Sequence, residues 1–255
     1  PESIMALTFT SKAATELRQR VHKRVGVTSK AMWIRTFHSA GLQLLRTFPT
    51  AAGLRDDFTI IDAGERKGLL RRFVLTQQRH RYLSDDELVD HITKVKNGMV
   101  LLSDLPSDIQ MAIDLYERVM REQNAIDLDD MVVKAVNVLK NPAIRHQIHK
   151  RFHHILIDEY QDINAIQEKL VLQMLGPQAN RYLIGDPDQT IYEWRGAKPE
   201  YMMTHSKEAN LIQLTKNFRS STPIVTLANH IIEQNTSRNQ MPMKAMGDDM
   251  YVPVV

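Results

Sequence analysis

Short all-apolar runs alternate with helical stripes along this chain. Ile4-Met5-Ala6-Leu7-Thr8-Phe9 reads as a buried strand, after which Thr10 or Ser11 can cap a helix. Ala14, Leu17, Val21 and Val25 continue that helix at helical spacing, and Phe37, Ala40, Leu44 and Phe48 mark a second. From Pro49 to Ala125 the pattern becomes helical, polar and strand-poor, with Ile109, Ala112, Ile113, Tyr116, Val119 and Met120 on one amphipathic face. This stretch reads as a helical insertion. Leu128, Met131, Val132, Ala135, Val136 and Leu139 form a further helical stripe.

Ile155-Leu156-Ile157 is a short run of the kind a parallel strand covered on both faces requires. A helix with Ile166, Leu170, Val171 and Met174 follows it. Tyr182-Leu183-Ile184 reads as the next strand and Leu211-Ile212-Gln213-Leu214 as a third. Ser221 and Thr222 are cap candidates, Pro223 suits a first helical turn, and a helix continues through Leu227 and Ile231. The tail, residues 235–255, reads as extended. Strand–helix alternation predicts an α/β fold, a parallel sheet flanked by helices.

In such sheets ligands bind beyond the carboxyl ends of the strands. Three polar clusters fall at such ends: Thr8-Phe9-Thr10, Asp158-Glu159 and Gly185-Asp186-Pro187-Asp188-Gln189. A bare Asp-Glu pair has two readings. It is a solvated turn or helix cap, or it is a pair in which one carboxylate holds Mg²⁺ and its neighbour polarises a water. Adjacent strand residues point to opposite sides, which predicts different jobs for the two.

Composition removes several classes of chemistry. There is no cysteine, so disulfides, zinc–thiolate sites and thiol nucleophiles are excluded. The longest apolar runs are far too short to span a bilayer, and Pro1-Glu2-Ser3-Ile4 is no secretory signal, which predicts a cytoplasmic protein without membrane contact. The net charge of +3 is unremarkable, but its distribution is not. Lys12, Arg18, Arg20, Lys23, Arg24, Lys30, Arg35 and Arg46 stand against only Glu2 and Glu16 in the first fifty residues. That excess reads either as a solvated helix face or as a polyanion-attracting surface.

The wider strings sharpen the picture. Leu156-Ile157-Asp158-Glu159-Tyr160-Gln161-Asp162-Ile163-Asn164 resembles the Walker B box, motif II, of UvrD/Rep/PcrA-like superfamily 1A DNA helicases. Ile184-Gly185-Asp186-Pro187-Asp188-Gln189-Thr190-Ile191-Tyr192-Glu193-Trp194-Arg195-Gly196-Ala197 resembles their motif III, and Leu214-Thr215-Lys216-Asn217-Phe218-Arg219-Ser220-Ser221 their motif IV. Thr8 to Ala14 looks like motif Ia, Thr36-Phe37-His38-Ser39 like motif Ib, and Ile126-Asp127-Leu128-Asp129-Asp130 like a minor family box. The motifs occur in family order across essentially the whole chain.

The resemblance implies a RecA-like P-loop sheet with an inserted all-helical subdomain. Residues 1–48 correspond to the first part of domain 1A, 49–125 to a 1B-like insertion, 126–208 to the second part of 1A, and 209–255 to the start of 2A. It implies an ATP-dependent helicase or translocase moving 3′ to 5′ on single-stranded DNA, with duplex junctions as partners and Mg²⁺ with ATP as fuel, in repair, replication or recombination. Asp158 would hold Mg²⁺, Glu159 would polarise water and Gln189 would sense the γ-phosphate. Arg219 would stabilise transferring charge, and Phe218, where the family commonly has tyrosine, would stack on adenine. Phe9, Thr10, Thr36, His38, Tyr192, Trp194 and Arg195 would contact single-stranded DNA. His38 also reads as a satisfied polar residue in a turn. Aromatic rings stack on unpaired bases without reading sequence.

No Gly-x-x-x-x-Gly-Lys-Ser/Thr loop occurs in these residues, nor do motifs V and VI. This predicts a truncated chain, deficient in ATP hydrolysis by itself. The alternative is a non-catalytic single-stranded DNA-binding module or a helicase remnant.

Overall fold

The strands are Ile4–Thr8 (β1), Trp33–Thr36 (β2), Thr59–Ile60 (β3), Ala125–Ile126 (β4), His154–Ile157 (β5), Asn180–Leu183 (β6), Lys216–Asn217 (β7) and Lys244–Ala245 (β8). The helices are Ser11–Val25 (α1), Phe37–Thr47 (α2), Ala63–Leu69 (α3), Asp85–Lys96 (α4), Ser107–Glu122 (α5), Leu128–Val138 (α6), Pro142–Arg151 (α7), Ala165–Met174 (α8), Glu200–Ser206 (α9) and Thr222–Ile232 (α10). These come from a computed structural model describing residues 1–75, 84–206, 209–235 and 242–247. The chain divides into two units, Pro1–Met202 and Met203–Val255.

In the first unit four parallel strands pair in the order β2-β1-β5-β6. The register sets Leu7 beside Ile157 and Ile157 beside Leu183, so the polar clusters after β1, β5 and β6 come to one rim. β1 and β5 are interior strands, and Met5, Leu7, Ile155 and Ile157 are buried against helices as an α/β core requires. β6 departs from that pattern. It is an edge strand of the described sheet, with Tyr182 exposed and Ile184 exposed just beyond it.

Local chemistry starts the first helix where the sequence predicts. Thr10 caps α1, its hydroxyl accepting from the Ala13 N–H at 3.1 Å. Reciprocal capping boxes open α2 (Thr36 and Ser39), α3 (Asp62 and Glu65), α4 (Ser84 and Glu87), α6 (Asp127 and Asp130) and α8 (Asn164 and Gln167). Gly41 lets α2 lie against α6, since a Cβ there would sit 2.2 Å from the Met131 carbonyl oxygen.

The stretch read as a helical insertion contains α3, α4 and α5 together with the two-residue strand β3, which pairs with β4. It is polar outside but has its own apolar cluster of Leu69, Leu70, Leu88, Ile92, Ile113, Tyr116 and Met120 among others. A buried ionic network ties it to the start of α6. Lys96 Nζ lies 2.9 Å from carboxylate oxygens of Glu117, Asp127 and Asp130, Arg66 Nη1 lies 3.2 Å from Asp129, and the Tyr116 hydroxyl donates to Asp127 at 2.7 Å. Burial alone would raise the Asp127 carboxyl; Lys96 and Arg66 outweigh it and hold the group below the usual carboxylate range.

The second unit pairs β7 with β8 in parallel beside α10, whose Ser221 occupies the N-cap and Pro223 the first turn. Here the sequence reading is corrected. Leu211–Leu214 is not a strand; Lys216–Asn217 is. Ile212 and Leu214 are 81% and 84% exposed, and an apolar run without apolar cover does not become a strand. Of the tail read as extended, residues 236–241 and 248–255 lie outside the described residues.

Candidate functional site

β5 ends at Ile157, and the Asp158 N–H still donates to the Leu7 carbonyl at 2.9 Å, which fixes Asp158 at the sheet rim. Glu159 then takes a left-handed conformation, φ 52° and ψ 48°, uncommon for a residue with a side chain. This corrects the expectation from strand alternation. The chain has left the strand at Glu159, and the left-handed turn brings both carboxylates to one cleft.

That cleft has a volume of about 280 Å³ and is lined by Asp158, Glu159, Gln161, Asp162 and Gln189 together with Phe9, Thr10, Ala13, Ile191 and Tyr192. Burial first, and then the charge of Glu159, push the Asp158 carboxyl above its ordinary range. Asp162 is only 8% exposed, and one of its carboxylate oxygens, Oδ1, is buried with no hydrogen-bond partner.

Gln161 joins the two loops of the cleft. Its Nε2 donates to Glu159 Oε2 at 2.7 Å, and its Oε1 accepts from the Asp186 N–H at 3.1 Å. Gly185 makes room for this bridge: a Cβ there would lie 2.3 Å from Gln161 Oε1 and 3.0 Å from the Tyr160 nitrogen. Gln189 is exposed and donates from Nε2 to Asp186 Oδ2 at 2.8 Å.

At the other end of the cleft Phe9, carried off the end of β1, stacks on Tyr192 with ring centroids 4.9 Å apart and planes inclined by 23°. The Arg195 guanidinium lies 5.4 Å from the Trp194 ring centre and 6.0 Å from that of Tyr192. Trp194 itself is 73% exposed, an unusual state for a large aromatic.

The remaining predicted residues, Thr10 on the cleft lining apart, fall elsewhere. Thr36 is buried, and its hydroxyl accepts from the Ser39 N–H in the α2 capping box. His38 follows it, half-buried, and burial holds its proton affinity below the ordinary imidazole value; Asp129 raises it and Arg195 lowers it further. Thr10 is exposed, its hydroxyl engaged in the α1 cap. Phe218 and Arg219 belong to the second unit, both exposed in the loop between β7 and α10, where Asn217 Oδ1 accepts from the Arg219 and Ser220 N–H groups at 2.9 Å.

The sequence reading passed over Gln161, Asp162, Asn164, Gly185 and Asn97 as functional positions. The signal for Gln161 and Asp162 lies in their closeness to Asp158-Glu159, two residues on in the same polar strand-to-helix segment. Asn97 had no such signal. Folding brings it against the segment that follows Asp158-Glu159: its Oδ1 accepts from Asn164 Nδ2 at 2.8 Å, and its Nδ2 donates to Asp129 at 3.0 Å.

Among the described residues no group of three or more His, Cys, Asp or Glu is arranged to hold a metal by itself. The donors at the cleft are hard carboxylate oxygens, suited to Mg²⁺, which typically takes one or two carboxylates and completes its shell with water and substrate phosphates. The donor set therefore fits a phosphate-borne Mg²⁺ and not a protein-caged metal. Among the described residues no helix is long and apolar enough to cross a membrane.

Residues 1–210 match the family model described as the UvrD/REP helicase N-terminal domain. The chain is similar to the ATP-dependent DNA helicase PcrA of Staphylococcus aureus, 32% identical over 251 residues, covering 93% of this chain and 34% of the relative. It is similar to the ATP-dependent DNA helicase UvrD1 of Mycobacterium tuberculosis, 34% identical over 262 residues with the same coverage of each, 93% and 34%. It thus spans about a third of the length of the curated relatives it matches.

Proposed function

Because the chain belongs to the UvrD/REP helicase family through its N-terminal domain, we propose that it forms the ATP- and DNA-facing part of an ATP-dependent DNA helicase moving 3′ to 5′ on single-stranded DNA, in repair, replication or recombination. One observation carries this reading: Asp158, Glu159 and Gln189 line the same cleft as Phe9, Thr10 and Tyr192. A motor that converts nucleotide state into strand movement needs those two chemistries in mechanical contact. Residues 1–48 and 126–208 act as the two parts of a RecA-like domain, 49–125 as its helical insertion, and 209–255 as the start of the second motor lobe.

In this reading Asp158 would hold the Mg²⁺ that comes with ATP, and Glu159, kept in place by Gln161, would orient and polarise the attacking water. Mg²⁺ bound with ATP supplies charge neutralisation on the β- and γ-phosphates. Gln189 sits on the loop leading directly to Tyr192, so a phosphate contact at Gln189 moves the stacking ring. Tyr192, Trp194 and Phe9 stack on unpaired bases, Arg195 meets the backbone, and Thr36 positions His38 beside the strand. Phe218 and Arg219 serve the adenine and the transferring phosphoryl group from the second lobe. Single-stranded DNA, duplex junctions and ATP are the partners, and the protein works in the cytoplasm.

The chain contains no Gly-x-x-x-x-Gly-Lys-Ser/Thr loop, so we expect the 255-residue polypeptide to bind single-stranded DNA but not to turn over ATP alone. ATP hydrolysis assays with and without oligothymidylate test this. DNA-stimulated hydrolysis by the purified chain, abolished by Glu159→Gln, contradicts the deficiency. Full hydrolysis by a Glu159→Gln variant of the whole protein contradicts the role of Glu159.

A further inference from the structure

The basic excess of the first fifty residues is scarcely used by the cleft. Part of it gathers on β2. Arg18, from α1, donates from Nη1 to the Ile34 carbonyl at 2.9 Å and from Nη2 to the Thr15 hydroxyl at 2.9 Å. Arg35, on β2 itself, and Arg151, at the end of α7, place their guanidinium carbons 5.3 Å and 4.8 Å from the centre of the Trp33 ring. Arg35 also donates to Gln43 Oε1 at 3.3 Å. Three guanidinium groups from three separate elements thus converge on the consecutive residues Trp33, Ile34 and Arg35.

Every partner in this arrangement is neutral. Among the described residues, none of the three arginines forms an ion pair with a carboxylate. Carbonyl, amide and indole partners orient a guanidinium without cancelling its charge. Burial, and then the charges of Arg18 and Arg151, weaken the hold of Arg35 on its proton. Elsewhere the protein answers concentrated charge with its opposite, as around Lys96. The cluster is also distinct from the cleft. Trp33 lies beside Met5 and Thr36 beside Thr8, so it begins three residues, roughly 10 Å, back from the strand ends and on the free edge of the sheet.

We propose that Arg18, Arg35 and Arg151 form a second contact, independent of base sequence, for the phosphate backbone of a nucleic acid strand along the edge of β2. The proposal rests on the reading that the chain binds single-stranded DNA, and adds a surface to it. Planar guanidinium forks match phosphate oxygens in pairs. The apolar residues at the cluster, Trp33, Ile34 and Phe152, are all buried and leave no apolar anchor of the kind that centres a protein interface.

The cluster carries its own reporter. The chain has two tryptophans, Trp33 and Trp194, so Trp194→Phe leaves Trp33 alone, its ring between two of the arginines. In that background, titration with fluorescein-labelled oligothymidylate is read by anisotropy and by Trp33 emission. Phosphates drawing Arg35 and Arg151 off the indole change the emission along the same isotherm as the anisotropy. Adding Arg18→Gln, Arg35→Gln and Arg151→Gln abolishes the emission change and lowers the slope of log affinity against log salt by about 2, at about 0.7 per phosphate contact of a single strand. The three Arg→Lys changes keep the charge and most of the slope; if they too lose it while melting like the parent, charge is not the cause and the proposal fails. Rising anisotropy with silent Trp33 and an unchanged slope overturns the cluster while leaving the cleft reading intact. No binding at all, by the parent chain as well as in this background, overturns both. A Trp33 response to an oligoglutamate peptide stronger than that to oligothymidylate makes this a protein-binding face and overturns the nucleic acid assignment.

Discussion

The Phe9 ring lies on the Tyr192 ring at 4.9 Å, joining the end of the first strand to a loop that follows the fourth strand of the sheet. Residues so far apart in sequence meet because β1 and β6 flank β5 in parallel and discharge their loops at the same rim. Arg195 and the exposed Trp194 continue the aromatic surface outward.

Removing one ring of this pair should weaken single-stranded DNA binding. Phe9→Ala or Tyr192→Ala is expected to cost about 1–3 kcal/mol per lost base stack, roughly 5- to 150-fold in Kd by fluorescence anisotropy. Tyr192→Phe keeps the ring and should bind within about twofold of the parent. An alanine variant binding as the parent does would remove Phe9 and Tyr192 from the interface.

Gly185→Ala should disturb Glu159 at a distance. The added Cβ displaces Gln161, breaking its bonds to Glu159 and Asp186, at a cost of about 1–3 kcal/mol in urea denaturation. Truncating the obstacle makes space, so the cost of Gly185→Ala is expected to shrink in a Gln161→Ala background. Costs that simply add would show that Gln161 is not what the methyl strikes.

Much of this was legible beforehand, because the signals were local. Thr10 capping α1, the buried face of α5 and the strand at Ile155–Ile157 follow from capping chemistry and periodicity. The failures share a cause. Leu211–Leu214 has the composition of a strand, but a strand needs a neighbour, and pairing is not written in the run itself. The two carboxylates were assigned opposite faces by alternation, which stops applying when Glu159 enters a left-handed turn. Asn97 reaches Asn164 only because α4 packs onto the sheet domain, which no window of sequence contains.

Lys96→Met should be among the most damaging single changes. It leaves the buried Asp127 and Asp130 and the half-buried Glu117 without their shared cation. Breaking a buried ionic cluster from one side typically costs about 3–5 kcal/mol, and chemical denaturation should show a loss of that order. A loss below about 1 kcal/mol would mean the cluster is solvated in solution.

His38 should impose a pH dependence on stability. Its native proton affinity is depressed, chiefly by burial, so as pH falls through the ordinary imidazole value of about 6.5 the unfolded chain takes up the proton first. Its contribution is therefore present above that value and lost progressively as pH falls below it, levelling off beneath the depressed native value. The stability difference between parent and His38→Gln, followed by urea denaturation from about pH 8 to 5, should shift against the parent on acidification. A flat difference would contradict the burial of His38.

The central claim is that one cleft presents carboxylates at one end and base-stacking rings at the other. Photocrosslinking of a 5-iodouracil oligonucleotide to the chain, with mass spectrometry of the joined peptides, tests it most directly. Crosslinks are expected at Phe9, Tyr192 and Trp194, competed by unlabelled oligothymidylate. Crosslinks confined to other surfaces, with these three residues unmodified at saturating oligonucleotide, would contradict it.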